Sequence, residues 1–288
     1  MKEVNIASRL PFALAATALI GAVTIEANAT EPCGEFGECK VLIEINSSDG
    51  DIGFHWLGDA DELRGMRIVD PNGVKVFKNR GFGPLREQKL TETFGESAEP
   101  LCWPDPEADS EDREDIVTLR DFREIWEPGT YAFRGKGDGG EIINGETELT
   151  YNLPAAPKYV NFDGSMISWM AGNDLGNCAP LATDLDGLET VSDVTDIIPD
   201  PASVDVAAFE VVMEPDVDDG DPVGGLKFTI RVPGAIDPLA VEVPALYLAS
   251  LPDDTPVKIE VGAIGVDDNA TFTEEDGFCV NEIDGCDD

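Results

Sequence analysis

The sequence predicts an all-β fold made of two β-sandwich domains. Three observations predict it. First, apolar and polar residues alternate over many short stretches, as in "KVLIEIN" at 40–46 and "LKFTIRV" at 226–232. A period of two marks a half-buried strand. Second, turn residues punctuate these stretches, most clearly Asp70-Pro71-Asn72-Gly73. Third, a Pro turn followed by Thr and an alternating strand occurs as "EPGTYAF" at 127–133, and more loosely as "LPDDTPVKIEVGA" at 251–263. Such a segment suits a corner where a strand changes sheets. Pro fixes φ at the turn, Gly129 can take a positive φ, and the Thr130 and Thr255 hydroxyls can bond the turn backbone.

The elements of the first domain follow in order. Val41, Ile43 and Ile45 share one face of a strand, "SSDGD" turns, and Ile52, Phe54 and Trp56 alternate on a second strand. "MRIVDPNGVKVF" reads as another hairpin and "KLTETFGES" (89–97) as a further strand. Residues 100–115 are rich in Pro, Asp and Glu and read as a solvated loop. A short helix should follow. Thr118 and Asp121 make a capping-box pattern, and Leu119, Phe122, Ile125 and Trp126 fall on one helical face, which makes Trp126 a core residue. Trp103, beside Cys102, is expected to pack on a disulfide. Pro128-Gly129 stops the helix. Strands "TYAFRG" and "GETELTYNL" close a domain of about seven strands, and Pro154-Ala155-Ala156-Pro157 reads as a stiff linker.

The second domain opens near Lys158. "MISWM" is a strand carrying Trp169, a core anchor, and residues 172–203 form a long acidic insertion. "VAAFEVVME" and "LKFTIRV" are strands, "AVEVPALYLASLPDDTPVKIEVGAIG" holds two more around the Leu251-Pro252 corner, and "NATFTEE" is expected at the sheet edge. On Ile167-Ser168-Trp169, Phe209-Glu210-Val211, and Leu251-Pro252 with Thr255, this region resembles a fibronectin type III domain. The resemblance covers roughly 158–276 and implies a seven-stranded sandwich of about 100 residues. Val257 stands where that family carries its corner tyrosine, and the insertion interrupts the early-strand region. The whole arrangement resembles exported bacterial two-domain β proteins of unassigned function.

Export is also expected from residues 1–29. Lys2 and Arg9 precede the uncharged run Leu10–Ile25, and Ala27-Asn28-Ala29 is a signal-peptidase pattern. The run is shorter than the ~20 residues of a membrane span, and no later segment is apolar enough to span. The expected organisation is a signal peptide at 1–29, an N-terminal β-sandwich-like domain at 30–156, and a fibronectin type III-like domain at 157–288. The expected compartment is periplasmic or extracellular. Six cysteines follow the leader, an even number that reads as disulfides in an exported chain. Short spacing favours Cys33–Cys39 and Cys279–Cys286 as local pairs, which leaves Cys102 and Cys178 for each other. The spacings alone leave the other connectivities open.

The formal net charge of −40 excludes nucleic acid and anionic lipid as general partners, since both require basic neutralisation of phosphate. The acidity reads first as solubility and second as a cation site. Oxygen ligands on flexible loops suit Ca²⁺. Asp184 and Asp186 in the insertion are the first candidate ligands, with Asp193 and Asp196 beside them. Asp218 and Asp221 in the acidic turn "PDVDDGDPVGG" come next, flanked by Asp216 and Asp219. The lone histidine, His55, lies opposite the apolar face of its strand and reads as a surface imidazole. No G-x-S-x-G or H-E-x-x-H motif accompanies it. "GKGDGG" at 135–140 lacks the Lys-Ser/Thr of a phosphate loop and reads as a turn. The expected role is therefore non-enzymatic: an exported binding or structural protein whose partner is an envelope protein or polysaccharide. The alternative is a secreted polysaccharide hydrolase using a carboxylate pair. With 59 acidic residues such pairs arise by chance.

Overall fold

Two β-sandwiches share one seven-stranded sheet. The computed structural model describes residues 33–102, 116–181, 189–218, 220–282 and 286. The expected signal peptide, Trp103 with most of the acidic loop, Asp184, Asp186 and Asp219 lie outside the described residues.

The shared sheet begins with the hairpin of β1 (Glu38–Asn46) and β2 (Asp51–Leu63), and β5 (Leu90–Glu96) pairs with β2. On its other side β1 pairs in parallel with β14 (Ala270–Val280). The sheet continues through β13 (Thr255–Gly265), β10 (Val206–Pro215) and β11 (Phe228–Pro233), all antiparallel. Its order is β11-β10-β13-β14-β1-β2-β5. A second sheet holds β3 (Gly65–Val69), β4 (Lys75–Lys78), β6 (Gly129–Lys136) and β7 (Ile142–Leu149), ordered β4-β3-β6-β7. A third holds β8 (Lys158–Phe162), β9 (Met166–Met170) and β12 (Ala240–Glu242), ordered β12-β9-β8.

Each smaller sheet packs on one end of the large one. In the first sandwich Val41, Ile43, Ile45 and Phe54 meet Ile68, Tyr131, Phe133 and Leu149, with Leu119 and Phe122 of α2 (Leu119–Ile125) closing the core. The Trp126 ring stacks on Phe54 at 3.9 Å, nearly parallel. In the second, Val160, Ile167, Trp169 and Val241 meet Phe209, Val211, Met213, Ile259 and Val261. Trp169 is buried, 5.3 Å from the Phe209 ring. The two cores do not divide at 156/157: Leu175, Cys178, Ala179, Val191, Val194 and Ile198 belong to the first core, and the large sheet runs through both.

The junction is polar. Asn269, almost fully buried, accepts a bond from Ile43 N at 2.8 Å and donates to Thr150 Oγ1 at 3.0 Å. The Thr273 hydroxyl donates to the Pro157 carbonyl at 2.6 Å. These bonds hold β14 in the middle of the sheet, so "NATFTEE" is not the edge strand expected from its sequence. An interior strand and an edge strand carry the same alternation; only the distant partner β1 distinguishes them.

Other expectations also need correction. The insertion at 172–203 is not merely solvated loop. Leu175, Ala179, Val191, Val194 and Ile198 pack into the first core, α3 (Val191–Val194) carries a Thr190/Asp193 capping box, and Cys178 is bonded to Cys102. The stretch before Leu251 forms the short β12 and then α4 (Ala245–Leu248) rather than one strand. The helix α1 (Gly83–Gln88) has no buried residue and so left no periodic signal. At the first corner Gly129 takes φ 136°, but the Thr130 hydroxyl bonds Glu148 across the sheet. The Tyr131 hydroxyl bonds the Glu127 carbonyl at 3.2 Å instead, so the corner is fastened by tyrosine. At the second corner Thr255 Oγ1 does bond the turn, at Pro252 O, 2.8 Å. The three disulfides are Cys33–Cys39, Cys102–Cys178 and Cys279–Cys286. No helix among the described residues is long and apolar enough to cross a membrane.

Candidate functional site

The outer face of the β4-β3-β6-β7 sheet concentrates positive charge. Met66 and Ile68 point into the core, so Arg67 between them points out. On β6 the core takes Tyr131 and Phe133, which turns Arg134 and Lys136 outward. Strand register then places Arg67 opposite Lys78 on one side and opposite Arg134 on the other. Three cations therefore lie in one row across three neighbouring strands.

The segment after β4 adds more. Asn79 donates to the Met66 carbonyl at 3.0 Å and accepts from Met66 N through Oδ1 at 2.7 Å, and Gly81 N bonds Arg64 O at 3.1 Å. Gly65 permits this crossing: a Cβ there would stand 2.6 Å from the Asn79 carbonyl oxygen. The crossing carries Arg80 over the sheet, its guanidinium 5.4 Å from the centre of the exposed Phe82 ring. Arg86 of α1 and Arg64 complete a groove of about 330 Å³. Seven of the chain's 19 Lys and Arg residues line it, and among the described residues no Asp or Glu does. Arg64 is tied to Asp138 at 3.0 Å. Among the described residues the other six cations make no ion pair.

A second constellation lies on the outer face of β1 and β2. His55 Nε2 stands 3.2 Å from Glu99 Oε1, and Glu44 completes a group whose ligand atoms all lie within 4.8 Å of one another. His55 is buried, 6 % exposed, not the surface imidazole its strand phase implies. Glu44 and Glu99 flank it, and the Phe94 ring stands edge-on at 6.1 Å. Burial pushes the Glu44 carboxyl above the usual carboxylate range, with His55 opposing and Glu99 reinforcing the shift. Asp51, on the same strand face, is pushed up to about 6, first by burial and then by Glu99 and Asp49. One imidazole and two carboxylates are a donor set that zinc-class ions accept.

Of the sequence-predicted calcium ligands, Asp218 and Asp221 are not assembled with this group, and Asp184 and Asp186 lie outside the described residues. Asp218 and Asp221 are exposed in the acidic turn. There Asp221 N bonds Asp218 O at 3.1 Å, and Asp221 Oδ1 already accepts from Val223 N at 2.9 Å. Asp216 N bonds the Pro256 carbonyl. In the insertion, Asp193 serves its capping box and Asp196 is paired with Arg120 at 3.0 Å. Sequence reasoning missed the basic groove. Its only signal was the cluster "MRIVDPNGVKVFKNRGFGPLREQK" in an otherwise acidic chain.

No protein-family model matches the chain, and no curated protein matches it. Among solved structures it is similar to the crystal structure of a tetra-tandem repeat in the extending region of a large adhesion protein. The identity is 10 %, the match covers 84 % of this chain and 49 % of that one, and the TM-score is 0.25. The match thus spans about half of the adhesion-protein chain, and a TM-score this low carries no argument about fold or role.

Proposed function

We propose that the protein is an exported, non-enzymatic binding or structural component of the cell envelope or extracellular space, with the basic groove as its binding surface. The observation that carries this reading is the groove itself. In a chain of net charge −40, eight described Lys and Arg side chains make no ion pair, and six of the eight lie in this one groove. Acidic residues are abundant enough to pair each of them. Like charges directly opposite across strands destabilise a sheet, so a bound anion would offset a cost that the fold alone leaves uncompensated.

The rest of the molecule supports a rigid carrier for that surface. The shared seven-stranded sheet limits relative motion of the two sandwiches. In the second sandwich, β12-β9-β8 packs on β11-β10-β13-β14, a three-plus-four division that supports the fibronectin type III-like reading. The Glu44, Asp51, His55 and Glu99 carboxylates and imidazole line neither the groove nor the cavity around Phe162 and Phe278, which weighs against the hydrolase alternative. The calcium reading remains attached to Asp184, Asp186, Asp218 and Asp221.

The test is retention. Immobilised protein and its Arg67→Glu/Arg134→Glu variant are exposed to native envelope extract and to a panel of polysaccharides. The proposal expects material retained by the wild type and lost with the variant. Equal retention by both would remove the groove from this role. Polysaccharide turnover abolished by one carboxylate substitution would favour the hydrolase.

A further inference from the structure

Resting on the reading of the groove as the binding surface, we infer that its ligand is a compact, multiply charged oxyanion: phosphate, sulfate or carboxylate groups that fit within the groove, not a long polyanion. Three features carry this.

The first is the kind of cation. Five of the seven are arginine: Arg64, Arg67, Arg80, Arg86 and Arg134. A guanidinium presents a planar fork that bonds two oxygens of one oxyanion at once, whereas an ammonium acts as a point charge. Arginine from the sheet row, the crossing segment and α1 approaches the groove from different sides. That arrangement suits an anion with oxygens on several faces.

The second is size. Strands ~4.8 Å apart make the Lys78–Arg67–Arg134 row ~10 Å across. Arg67 and Gly65, or Arg134 and Lys136, are two residues apart, ~7 Å along the strand. The groove volume of about 330 Å³ lies at the small end of ligand sites, ~300–1,000 Å³. It accommodates a phosphorylated or sulfated sugar ring, or one end group of a larger molecule.

The third is the border. Glu146 and Glu148 follow Asn144 on the same face of β7, and both are exposed. Asp138 stands at the opposite rim, paired with Arg64 and with Lys89 at 2.6 Å. At physiological salt charges act over ~8 Å, less than the width of the cationic row. An anion inside the groove therefore meets mainly cations. A chain of anionic groups running out of it meets carboxylates at once.

The probes are pyrophosphate as the compact oxyanion, and poly-glutamate and single-stranded DNA as long polyanions, each titrated into the full exported chain by calorimetry. Pyrophosphate should bind one-to-one, weaken with added salt, and lose at least ~10-fold in affinity in Arg67→Gln/Arg134→Gln, since each lost charged contact is worth about that factor or more. Arg231→Gln, at an ion pair with Glu210 outside the groove, should bind as the wild type does. If the double variant does not fold, Lys78→Gln on β4 should still lower affinity several-fold. Pyrophosphate should also elute protein from envelope material if the native anion is an attached end group, and should bind equally without that material if it is free. Long polyanions binding through the groove, undisplaced by pyrophosphate, would overturn the compact class while leaving the groove a binding surface. No anion binding at all, or binding unchanged by the groove variants, would overturn both.

Discussion

Arg67 on β3 lies directly opposite Arg134 on β6, and neither guanidinium has an ion pair among the described residues. Removing one should relieve repulsion. Like charges opposite each other cost roughly 0.2–1 kcal/mol, and both side chains are exposed, so little packing is lost. Arg134→Thr should therefore stabilise the protein by up to ~1 kcal/mol at low salt. The gain should shrink in high salt, because screening already relieves the wild type. Urea melts at two ionic strengths check both statements. A clear loss of stability would mean that Arg134 makes a compensating contact.

Trp169 should be the most costly single truncation in the second sandwich. It is 4 % exposed and its ring packs on Phe209. Trp169→Ala should cost ~3–5 kcal/mol in a urea melt. Its indole N–H has no hydrogen-bond partner among the described residues, so Trp169→Phe forfeits volume but no bond and should cost clearly less. A loss below ~1 kcal/mol for the alanine variant would contradict the burial.

The all-β architecture was legible because strand formation is local. Ile43 and Ile45, or Phe228 and Ile230, announce a buried face by their spacing. Thr118 and Asp121 announced α2 for the same reason, since a cap involves neighbours in sequence. What was not legible depends on partners remote in sequence. The alternation of β2 shows that His55 faces away from the apolar side of its strand, but not that Glu44 and Glu99 enclose it. Arg67 and Arg134 could each be placed outward, but only the β3–β6 register sets them side by side. The leucine and valines of the insertion looked sparse among aspartates, and their burial depends on the first core being open to them. Composition points to calcium ligands because it registers carboxylates, and it carries nothing of their geometry.

The disulfides should differ in weight. Cys102–Cys178 closes a separation of 76 residues and fastens the insertion to the first sandwich, whereas Cys33–Cys39 closes only 6. Loop-closure entropy assigns the long bridge ~4 kcal/mol and the short one ~2 kcal/mol. Melts of Cys102→Ala/Cys178→Ala and Cys33→Ala/Cys39→Ala should rank in that order. Alkylation of unreduced protein followed by intact mass should find no labelled thiol.

Asp51 should give the protein a stability that falls as pH rises. In the native state it keeps its proton to about 6, in an unfolded chain only to about 3.9. Between those values the native state binds more protons, so the stabilisation is full below about pH 4 and lost as pH rises through about 6. The group is half-buried and partly screened, so its share is on the order of 1 kcal/mol, well below the full shift. Asp51→Asn should remove this slope and raise stability at pH 7. Urea melts from pH 4 to 7 test it; identical slopes in wild type and variant would remove Asp51 as the cause.

Calcium remains to be separated from general screening. Any salt stabilises a chain of net charge −40 by screening its self-repulsion. An ion bound only to the folded state adds a further rise once its concentration exceeds the dissociation constant. Ca²⁺ and Mg²⁺ at equal ionic strength screen alike, but Mg²⁺ holds its waters and demands octahedral geometry, so a flexible aspartate loop would favour Ca²⁺. Asp218 and Asp221 are exposed, and one Asp221 oxygen is engaged by Val223 N. A Ca²⁺ site needs six to eight ordered oxygens, and in this turn the Asp221 oxygen that would have to join it is already held by Val223 N. The two ions should therefore raise the melting temperature equally, and Asp218→Asn/Asp221→Asn should change neither rise. A larger shift in Ca²⁺ that vanishes in that variant would establish the turn as a site. One that vanishes only in Asp184→Asn/Asp186→Asn would place the ion in the insertion.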